Sequence, residues 1–379
     1  MKILLVGEFS RLHNSLKEGL TELGHEVKIV GCGDNFKNYP VDFSTTPTIT
    51  SNTFFFRFIN KITTKLFRLN IENIERSFRF YCLLPKLKNY DLIQLINSDA
   101  VKTFPAWEIK LYKKLFSQNQ KSFLLICGEE TPVVKVLLQN KLRYSILTPY
   151  FKNPKLKGYF NYTLKYVSKK HTQLYDFIIS NCNGCIASDL DYKIPMEQTQ
   201  TPFTFIPNPV NSKKIKYINN PIGDKIVLFH GINSQSSIKK GSHFFEIALE
   251  KIAQKYPEKV EIIIVNSLPY EEYGKILNRA HIVLDQVYSF DQGYNALEAM
   301  AKGKVVFTGA EKEFLDYYGL QEDEVAINAL PDVDYLVKKL SFLIENQQEI
   351  TAIGKRARAF IEREHDYVTI ATKYLKVWT

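Results

Sequence analysis

Apolar runs alternate with amphipathic segments along the chain. Residues 2–7 (KILLVG) are almost continuously apolar, which is typical of a strand buried on both faces of a parallel sheet. Residues 15–24 (SLKEGLTELG) place leucines at helical spacing and end on a glycine, and residues 25–33 (HEVKIVGCG) predict a second strand. This order of strand, helix and strand indicates a βαβ unit, so we expect an α/β fold with right-handed crossovers.

The alternation continues through the first half of the chain, stops, and then starts again. It stops at residues 204–211 (TFIPNPVN), where two prolines around one asparagine favour an extended, stiff connector. Before the connector, strands are predicted within 90–97 and 121–128 and a helix over 106–116, and the pattern continues over 175–188; after it, strands are predicted over 224–231, 260–270 and 281–288, and helices over 240–257, 271–280, 332–346, 347–363 and 366–378. We therefore predict two α/β domains, residues 1–206 and 207–363, and a C-terminal helix within 364–379.

The composition is that of an ordinary globular protein, with 45% hydrophobic and 24% charged residues. A chain of 379 residues is too long for one ordinary core, which supports two domains. The net charge of +10 suits an anionic partner such as nucleic acid, membrane headgroups or a phosphorylated ligand, although solubility alone would also account for it.

Cysteine usage and hydropathy bear on the compartment. The five cysteines form no disulfide-like framework, which favours a reducing environment. Cys182 and Cys185 form a C-x-x-C pair, but no second pair or nearby histidine accompanies them, so zinc is not expected. No apolar run reaches the roughly 18 residues of a transmembrane helix, and the first run is too short for a signal peptide. We therefore expect a cytoplasmic protein.

Several signatures of other enzyme classes are missing. The chain has no G-x-G-x-x-G after the first strand, no G-x-x-x-x-G-K-[ST], no H-E-x-x-H and no G-x-S-x-G. A nicotinamide-dependent enzyme and a P-loop NTPase are therefore disfavoured.

Residues 291–309 (DQGYNALEAMAKGKVVFTG) combine a polar turn, a short alanine-rich helix and a buried strand. The start of a helix offers free N–H groups and the positive end of a dipole, which together favour an anion such as phosphate. Gly293 would permit a close approach of the backbone, and Glu298 is a lone acid in an apolar stretch. An ordinary turn glycine and an acid that only favours the helix dipole are the alternatives.

Four features of the sequence, taken together, resemble those of the glycosyltransferases of the GT-B fold. They are the two α/β halves, the IPNPVN connector, the KG pair at 240–241 and YNALEAMAKGKVV at 294–306. The chain is most similar to the retaining GT4-type group (glycosyl transferases group 1) of bacterial surface-polysaccharide synthesis. The resemblance covers most of the second half; in the first half it covers only the layout and GHEV at 24–27. It implies two Rossmann-like domains that face each other across a cleft, the acceptor domain first and the donor domain second, with the last helix crossing back to the first.

The resemblance implies a role for each candidate of the second half. Glu298 would bind the ribose hydroxyls, because a carboxylate can accept both of their protons. Lys240 would neutralise the diphosphate and stabilise the leaving nucleoside diphosphate, although Lys239 and a merely solvated lysine are alternatives. The further donor-site candidates are Gly231, Asn233, Leu268, Pro269 and Tyr270, the last three around the base, and Gly293, Tyr294 and Asn295 around the distal phosphate and the sugar.

Two positions depart from the family pattern. No arginine precedes Lys240 in HGINSQSSIKKG (230–241), so Asn233, Ser236 or Ser237 would replace the second phosphate contact. The place of the family's first acid, separated from Glu298 by seven residues, is taken by Phe290, and Asp291 follows one position later. Asp291 would still reach the hydroxyls of the donor sugar, with a different geometry.

In the first half, the candidates follow predicted strands at the edge that would face the cleft. The acceptor-side candidates are Ser10, Arg11 and His13 in residues 7–16, Asp99 in 96–100, and Glu129 in 127–131. The candidate catalytic residues are Lys240, Asp291, His13 and Asp99. A surface histidine is the alternative for His13. Front-face attack, in which the leaving phosphate receives the acceptor proton, would need positioning and charge stabilisation more than a pair of carboxylates.

D-x-D triplets occur at 189–191 and 332–334. In glycosyltransferases of the GT-A fold, such a triplet holds a divalent metal. Because the two-half layout argues against that fold, we expect no metal and no other cofactor, and a UDP- or GDP-sugar as the donor substrate.

Two stretches are both basic and aromatic. Residues 135–175 contain nine Lys or Arg, eight Tyr or Phe and no acid, and residues 53–69 (TFFFRFINKITTKLFRL) are similar. Such stretches suit an anionic membrane surface and a polyprenyl-diphosphate-linked acceptor; core helices with a solvated basic face are the alternative. Nucleic acid is not expected as a partner, because no known binding module accompanies the charge.

The resemblance thus implies a hexosyl-type glycosyltransferase of surface-polysaccharide synthesis. It would move a sugar, with retention, from a nucleotide-diphosphate sugar to a glycan or lipid-linked glycan, at the inner face of the cytoplasmic membrane. Two alternatives stay open. A GT-B-type nucleotide-sugar epimerase would need acid and base groups around the sugar and no second substrate. A catalytically silent nucleotide-sugar-binding subunit would bind the donor without turnover.

Overall fold

The computed structural model describes residues 1–34, 37–52, 56, 58–60, 62–63, 70–268 and 270–379, and the side chains of residues 270 and 271 lie outside this description. Within these residues the chain forms two parallel sheets, of seven and five strands. The predicted α/β fold is confirmed.

The first sheet has the strand order β3-β2-β1-β4-β5-β6-β7. Its strands are β1 (Lys2–Val6), β2 (Glu26–Gly31), β3 (Phe43–Ser44), β4 (Leu92–Leu95), β5 (Lys121–Ile126), β6 (Gly184–Ala187) and β7 (Thr204–Phe205). The α-helices described between them are α1 (Leu12–Glu22), α2 (Ile49–Asn52), α3 (Ile71–Leu83), α4 (Pro105–Ser117), α5 (Thr131–Leu137), α6 (Thr148–Lys152), α7 (Asn161–Leu164), α8 (Lys169–Ile179) and α9 (Leu190–Met196). Strand β1 lies between β2 and β4 and is apolar because both of its faces are covered.

The second sheet has the order β12-β11-β10-β8-β9. Its strands are β8 (Ile226–Ile232), β9 (Val260–Asn266), β10 (Ile282–Leu284), β11 (Val305–Thr308) and β12 (Ile327–Asn328). The helices of this half are α10 (Ser237–Lys240), α11 (Ser242–Lys255), α12 (Tyr270–Arg279), α13 (Tyr294–Ala301), α14 (Lys312–Tyr318), α15 (Val333–Glu345), α16 (Gln347–Glu364) and α17 (Tyr367–Trp378).

Several predicted elements differ in detail; the helix predicted within 15–24 begins at Leu12, and the strand predicted over 260–270 ends at Asn266. The helix predicted over 240–257 is two helices, because Gly241 between them has φ 69°, in the left-handed region. Residues 175–179 belong to α8, and the strand of that segment is only Gly184–Ala187. The strand predicted over 281–288 ends at Leu284, so the residues after it are free to line the space between the halves.

The connector and the last helix bring the chain back across the molecule. The main-chain N–H of Val210 donates to the carbonyl of His365 at 2.7 Å, and the His365 ring bonds the carbonyl of Asn208. Helix α17 then packs on α1, and its side chains Tyr374 and Trp378 join the core of the first sheet. The domain bounds 206/207 and 363/364 stay predictions; the first two residues of the predicted connector form β7, the edge strand of the first sheet, and the second sheet begins at β8.

Candidate functional site

A cleft of about 780 Å³ lies between the two sheets. Its walls come from segments that follow the carboxyl ends of strands in both sheets, where parallel α/β folds place their ligand sites. Ser10, Asn97 and Glu129 line it from the first half, and Lys240 and Gly293 from the second. The structure therefore brings candidates of both halves to one space.

The N-terminal end of helix α13 faces this cleft. Gly293 is its N-cap, and the nearest atom to a Cβ added there would be Gln286 Nε2 at 3.7 Å, so the backbone at this helix end is open on that side. Glu298 is buried in the second turn, with one carboxylate oxygen 3.4 Å from the ammonium of Lys302. Asn295 is exposed and is not among the residues that line the cleft.

Tyr294 connects α13 to the other half of the molecule. Its hydroxyl and that of Ser15 in α1 hydrogen-bond to each other, 279 residues apart in the sequence. Burial raises the pKa of Tyr294 to about 12, so the phenol stays protonated. The side chain therefore holds the start of α13 against the first half, a role that the sequence did not suggest.

Lys240 reaches into the cleft from the end of α10. Its ammonium lies 2.6 Å from Asp285, a buried carboxylate that follows β10, and Thr308 is 3.4 Å from the other oxygen of Asp285. The carbonyl of Lys240 accepts the N–H of Val287 at 2.9 Å. The ammonium group and the main-chain carbonyl of Lys240 are thus both held by contacts within the second half.

The loop before Lys240 forms a turn. The side chain of Asn233 accepts the N–H of Gln235 at 3.0 Å, and its carbonyl accepts that of Ser236 at 2.9 Å. Asn233 and Ser236 line the cleft. Gly231 is required by packing, because a Cβ there would lie 2.5 Å from the ring of Tyr273.

The candidates for base binding remain predictions. Leu268 is half-buried and does not line the cleft. Pro269 lies outside the described residues, and so does the side chain of Tyr270, whose backbone begins α12.

Lys239 and Glu129 form an ion pair across the cleft. The Lys239 ammonium lies 2.5 Å from the Glu129 carboxylate, and Thr163 donates to the same carboxylate oxygen at 3.0 Å. The rings of Phe160 and Tyr162 lie 6.0 and 5.8 Å from the Lys239 ammonium. Burial alone would raise the pKa of Glu129, but the ion pair with Lys239 lowers it below the usual carboxyl value. Lys239 thus forms its ion pair with the first half of the molecule, whereas Lys240 forms its ion pair within the second half.

Asp291 was expected to reach the donor sugar, and the structure commits both of its oxygens elsewhere. They accept the N–H groups of Leu190, at the start of α9, and of Gln292, at 3.1 and 2.7 Å. Asp191 makes the reciprocal contact, accepting the N–H of Phe290 at 2.7 Å. Asp291 is buried and does not line the cleft, and Phe290 lines it instead. In this geometry Asp291 joins the two halves, which does not support its predicted catalytic role.

The D-x-D triplets are helix starts. Asp189 accepts the N–H of Asp191 and so caps α9, and Asp332 caps α15 in the same way. In the described part of the chain, no group of three or more His, Cys, Asp or Glu has a geometry that would hold a metal ion. Burial, with Asp291 nearby, raises the pKa of Asp191 to about 7.

His13 and Asp99 are buried and do not line the cleft. His13 is fully buried, with its ring nitrogens 2.7 Å from the carbonyl of Gly7 and 3.2 Å from the amide of Gln94. Burial lowers the pKa of His13 to about 4, so the ring is neutral at pH 7. Asp99 is buried and paired with Lys165 at 2.5 Å. This arrangement supports neither as a catalytic group.

Ser10 lines the cleft, and its acceptor-side role stays a prediction. It accepts a hydrogen bond from Lys37 at 3.0 Å, while Arg11 is turned to Ser15 and Glu18 of its own helix. Asp34, Lys37 and Lys102 also line this wall and were not predicted from the sequence. Asp34 and Lys102 have positive φ angles of 58° and 59°, which the residue pattern does not indicate.

The fold and the cleft define a protein of the GT-B architecture. Solved structures with this similarity include sucrose-phosphate synthase (tll1590) from Thermosynechococcus elongatus, with a TM-score of 0.59 and 14% identity over 100% of this chain and 98% of that chain. They also include Anabaena Alr3699/HepE in complex with UDP and glucose, with a TM-score of 0.61 and 14% identity over 99% of this chain and 98% of that chain. The predicted fold is confirmed by these similarities.

The sequence comparison is more local. Residues 237–376 match the family model described as glycosyl transferase-like, a segment that contains Lys240 and Glu298. No curated protein matches the chain. A structure of S. aureus TarM in complex with Fondaparinux, alpha-GlcNAc-glycerol and UDP is similar over 81% of this chain and 59% of that chain, with a TM-score of 0.53 and 13% identity.

Proposed function

We propose that the protein is a glycosyltransferase that uses a nucleotide-diphosphate sugar, with donor domain 207–363 and acceptor domain 1–206. The observation that carries the proposal is the meeting of Lys240 and the Gly293 end of α13 on one wall of the cleft, with Glu298 buried in the same helix. A cation and free N–H groups suit a diphosphate, and a carboxylate suits the ribose hydroxyls.

The chemistry follows from this placement. The bond between the sugar's anomeric carbon and the diphosphate oxygen breaks as the acceptor oxygen bonds to that carbon. Negative charge develops on the leaving diphosphate, where Lys240 and the helix end stabilise it. In a retaining front-face reaction, the acceptor proton moves to the leaving phosphate oxygen, so neither His13 nor Asp291 is needed as a base. Retention is part of the proposal.

The acceptor would bind the wall of the first half, where Asn97, Ser10 and Glu129 offer polar atoms. We propose a glycan or polyprenyl-diphosphate-linked glycan of surface-polysaccharide synthesis as the acceptor, and a UDP- or GDP-sugar as the donor. The similar Alr3699/HepE was crystallised with UDP-glucose, and TarM with UDP and alpha-GlcNAc-glycerol, which supports this pairing of substrates.

A thermal-shift screen with UDP, GDP, ADP, CMP and their sugars tests the donor site. A nucleotide that binds only the folded state raises the melting temperature by mass action. We expect one nucleoside diphosphate to stabilise the wild type and to have no effect on Glu298→Ala. Lys302→Ala is the matched control, because it removes the partner of Glu298 and keeps the carboxylate. Stabilisation of Glu298→Ala equal to that of the wild type would refute the assignment of Glu298.

Product analysis separates the reaction classes. A transferase releases nucleoside diphosphate in proportion to acceptor glycosylated. An epimerase converts the donor sugar without an acceptor, and a silent subunit binds the donor and turns nothing over. Either of the last two outcomes would overturn the proposed transfer.

A further inference from the structure

Helix α3 turns three large apolar side chains to solvent and buries two polar ones, Glu75 and Ser77, together with Phe80. Ile74, Phe78 and Tyr81 are 37%, 65% and 64% exposed and lie on one side of the helix, at spacings of four and three residues. On the inner side, Glu75 accepts main-chain N–H groups at the start of α2, and Ser77 hydrogen-bonds to a threonine. A surface helix normally shows the opposite arrangement, so the outer side of α3 requires an explanation.

The neighbouring helix α4 continues this surface. Its Trp107 is 40% exposed, and Lys110 and Lys114 follow on the same side of the helix. The two helices contact each other, and Thr103 before α4 donates to the carbonyl of Asn73 in α3 at 2.9 Å. We name this surface the α3–α4 face; it comprises Ile74, Phe78, Tyr81, Lys86, Trp107, Lys110 and Lys114.

The exposed charge around the face has one sign. From residue 70 to residue 120 every Asp and Glu is buried or half-buried. The exposed charged residues of this range are all lysines, namely Lys86, Lys88, Lys110, Lys113 and Lys114. The apolar stripe and the lysines beside it are complementary to a partner that has negative charge at its surface and apolar groups beneath.

We propose that the α3–α4 face docks on a bilayer containing anionic phospholipid. Aromatic side chains favour the headgroup level, and each lysine near such a surface adds electrostatic attraction. In the described part of the chain, no helix has both the length and the apolar character to cross a membrane, so the contact would be peripheral. This concerns where the protein sits and does not depend on the proposed reaction.

One hydrogen bond connects α3 to the wall of the cleft. Arg76 of α3 donates to the carbonyl of Lys102 at 2.8 Å, and Lys102 lines the cleft. Arg76 therefore links α3 to one residue of the cleft wall, although the residues of the α3–α4 face themselves do not line the cleft.

Co-sedimentation with extruded vesicles tests the proposal. We expect the full chain to bind vesicles containing phosphatidylglycerol, to bind phosphatidylcholine vesicles much more weakly, and to release as salt is raised. Lys110→Gln with Lys114→Gln should weaken binding about 25-fold, from roughly fivefold per lysine. Lys355→Gln with Lys373→Gln, two exposed lysines of α16 and α17, is the charge-matched control.

The apolar stripe is tested separately. Phe78→Ser with Tyr81→Ser should lose most of the binding, whereas Phe342→Ser, 52% exposed in the second half, should not. Melting temperatures equal to the wild type would show that these surface variants fold.

Tryptophan fluorescence gives a readout at the face itself. The chain has two tryptophans, and Trp378 is 1% exposed, so a blue shift of emission on vesicle binding would report Trp107. Trp107→Phe should abolish the shift. Equal binding to both vesicle types, equal loss in the control variants, or binding without a shift would overturn the proposal; binding to RNA or an acidic protein in place of vesicles would do the same.

Discussion

The ammonium of Lys239 lies 2.5 Å from a carboxylate oxygen of Glu129, although the two residues belong to different halves of the molecule. Lys239 precedes Lys240, the last residue of α10, and both line the cleft; Lys239 pairs with the first half, whereas Lys240 pairs with Asp285 of the second half. This pair explains why the two lysines of the KKG segment are not equivalent.

A double-mutant cycle should measure this contact. We expect Glu129→Gln and Lys239→Met to be non-additive, with a coupling free energy of about 1 to 3 kcal/mol in urea unfolding. The exposed pair Lys251–Asp334 is the control, and its coupling should be under about 1 kcal/mol. Additive effects at Glu129 and Lys239 would contradict an ion pair across the cleft in solution.

The same pair predicts a pH dependence. The pKa of Glu129 is lowered in the folded state, so its contribution to stability is fully present above the usual carboxyl pKa. That contribution is lost as the pH falls through the lowered folded value. The coupling measured by the cycle should therefore decrease at acid pH and stay constant from neutral pH upward.

Lys240→Met should weaken binding of the nucleoside diphosphate at least tenfold, because a charge-assisted contact contributes about 1.5 to 3 kcal/mol. Isothermal titration of the stabilising nucleotide measures this. Lys251→Met, an exposed lysine of the next helix, is the matched control. Unchanged affinity would exclude Lys240 as a diphosphate ligand.

The Lys240→Met variant also leaves the carboxylate of Asp285 buried without its cation, and this alone lowers the stability of the fold. Asp285→Asn added to Lys240→Met should therefore restore much of the melting temperature without restoring nucleotide affinity. Recovery of both would mean that Lys240 acts only through the fold.

The raised pKa of Asp191 predicts a second pH dependence of stability, opposite in sign to that of Glu129. Burial raises its pKa from 3.8 to about 7 in the folded state, so folding is favoured while the group is protonated. This contribution is fully present below the usual carboxyl pKa and is lost as the pH rises to about 7. Melting temperatures from pH 4 to 8 should fall less steeply in Asp191→Asn than in the wild type, since Asn can still accept the N–H of Phe290. Asp334→Asn, an exposed acid, should not change the slope.

Local sequence patterns predicted most of the fold, and they singled out Lys240 and Gly293, which share one wall of the cleft; the donor-binding role of that wall stays a prediction. The apolar strands, the glycine before α13 and the position of Glu298 depend on near neighbours, so the residue order shows them. The use of Asp291 could not be predicted, because its partner Leu190 is 101 positions away and belongs to the other half. His13 was expected in the loop after β1, because the helix was predicted only from residue 15; it belongs to the first turn of α1, whose orientation buries it against the sheet. The exposure of Ile74, Phe78 and Tyr81 could not be predicted either, because no element was predicted over residues 71–83 and their exposure depends on how α3 packs on distant parts of the chain.

Gly19→Ala tests the seat of the C-terminal helix. A Cβ on Gly19 would lie 2.2 Å from the carbonyl oxygen of Tyr367 and 2.9 Å from the Cβ of Ala371, so α1 and α17 would have to separate. We expect a loss of about 1 to 3 kcal/mol in the free energy of unfolding. Gly274→Ala is the matched control, because Gly274 also lies inside a helix and a Cβ there meets no atom within 4 Å. It should be neutral or stabilising by up to about 1 kcal/mol. Trp378, buried in α17, adds a spectroscopic readout: its emission should shift to the red in Gly19→Ala if the helix detaches. A Gly19→Ala variant as stable as the wild type would mean that α17 does not pack on α1 in solution.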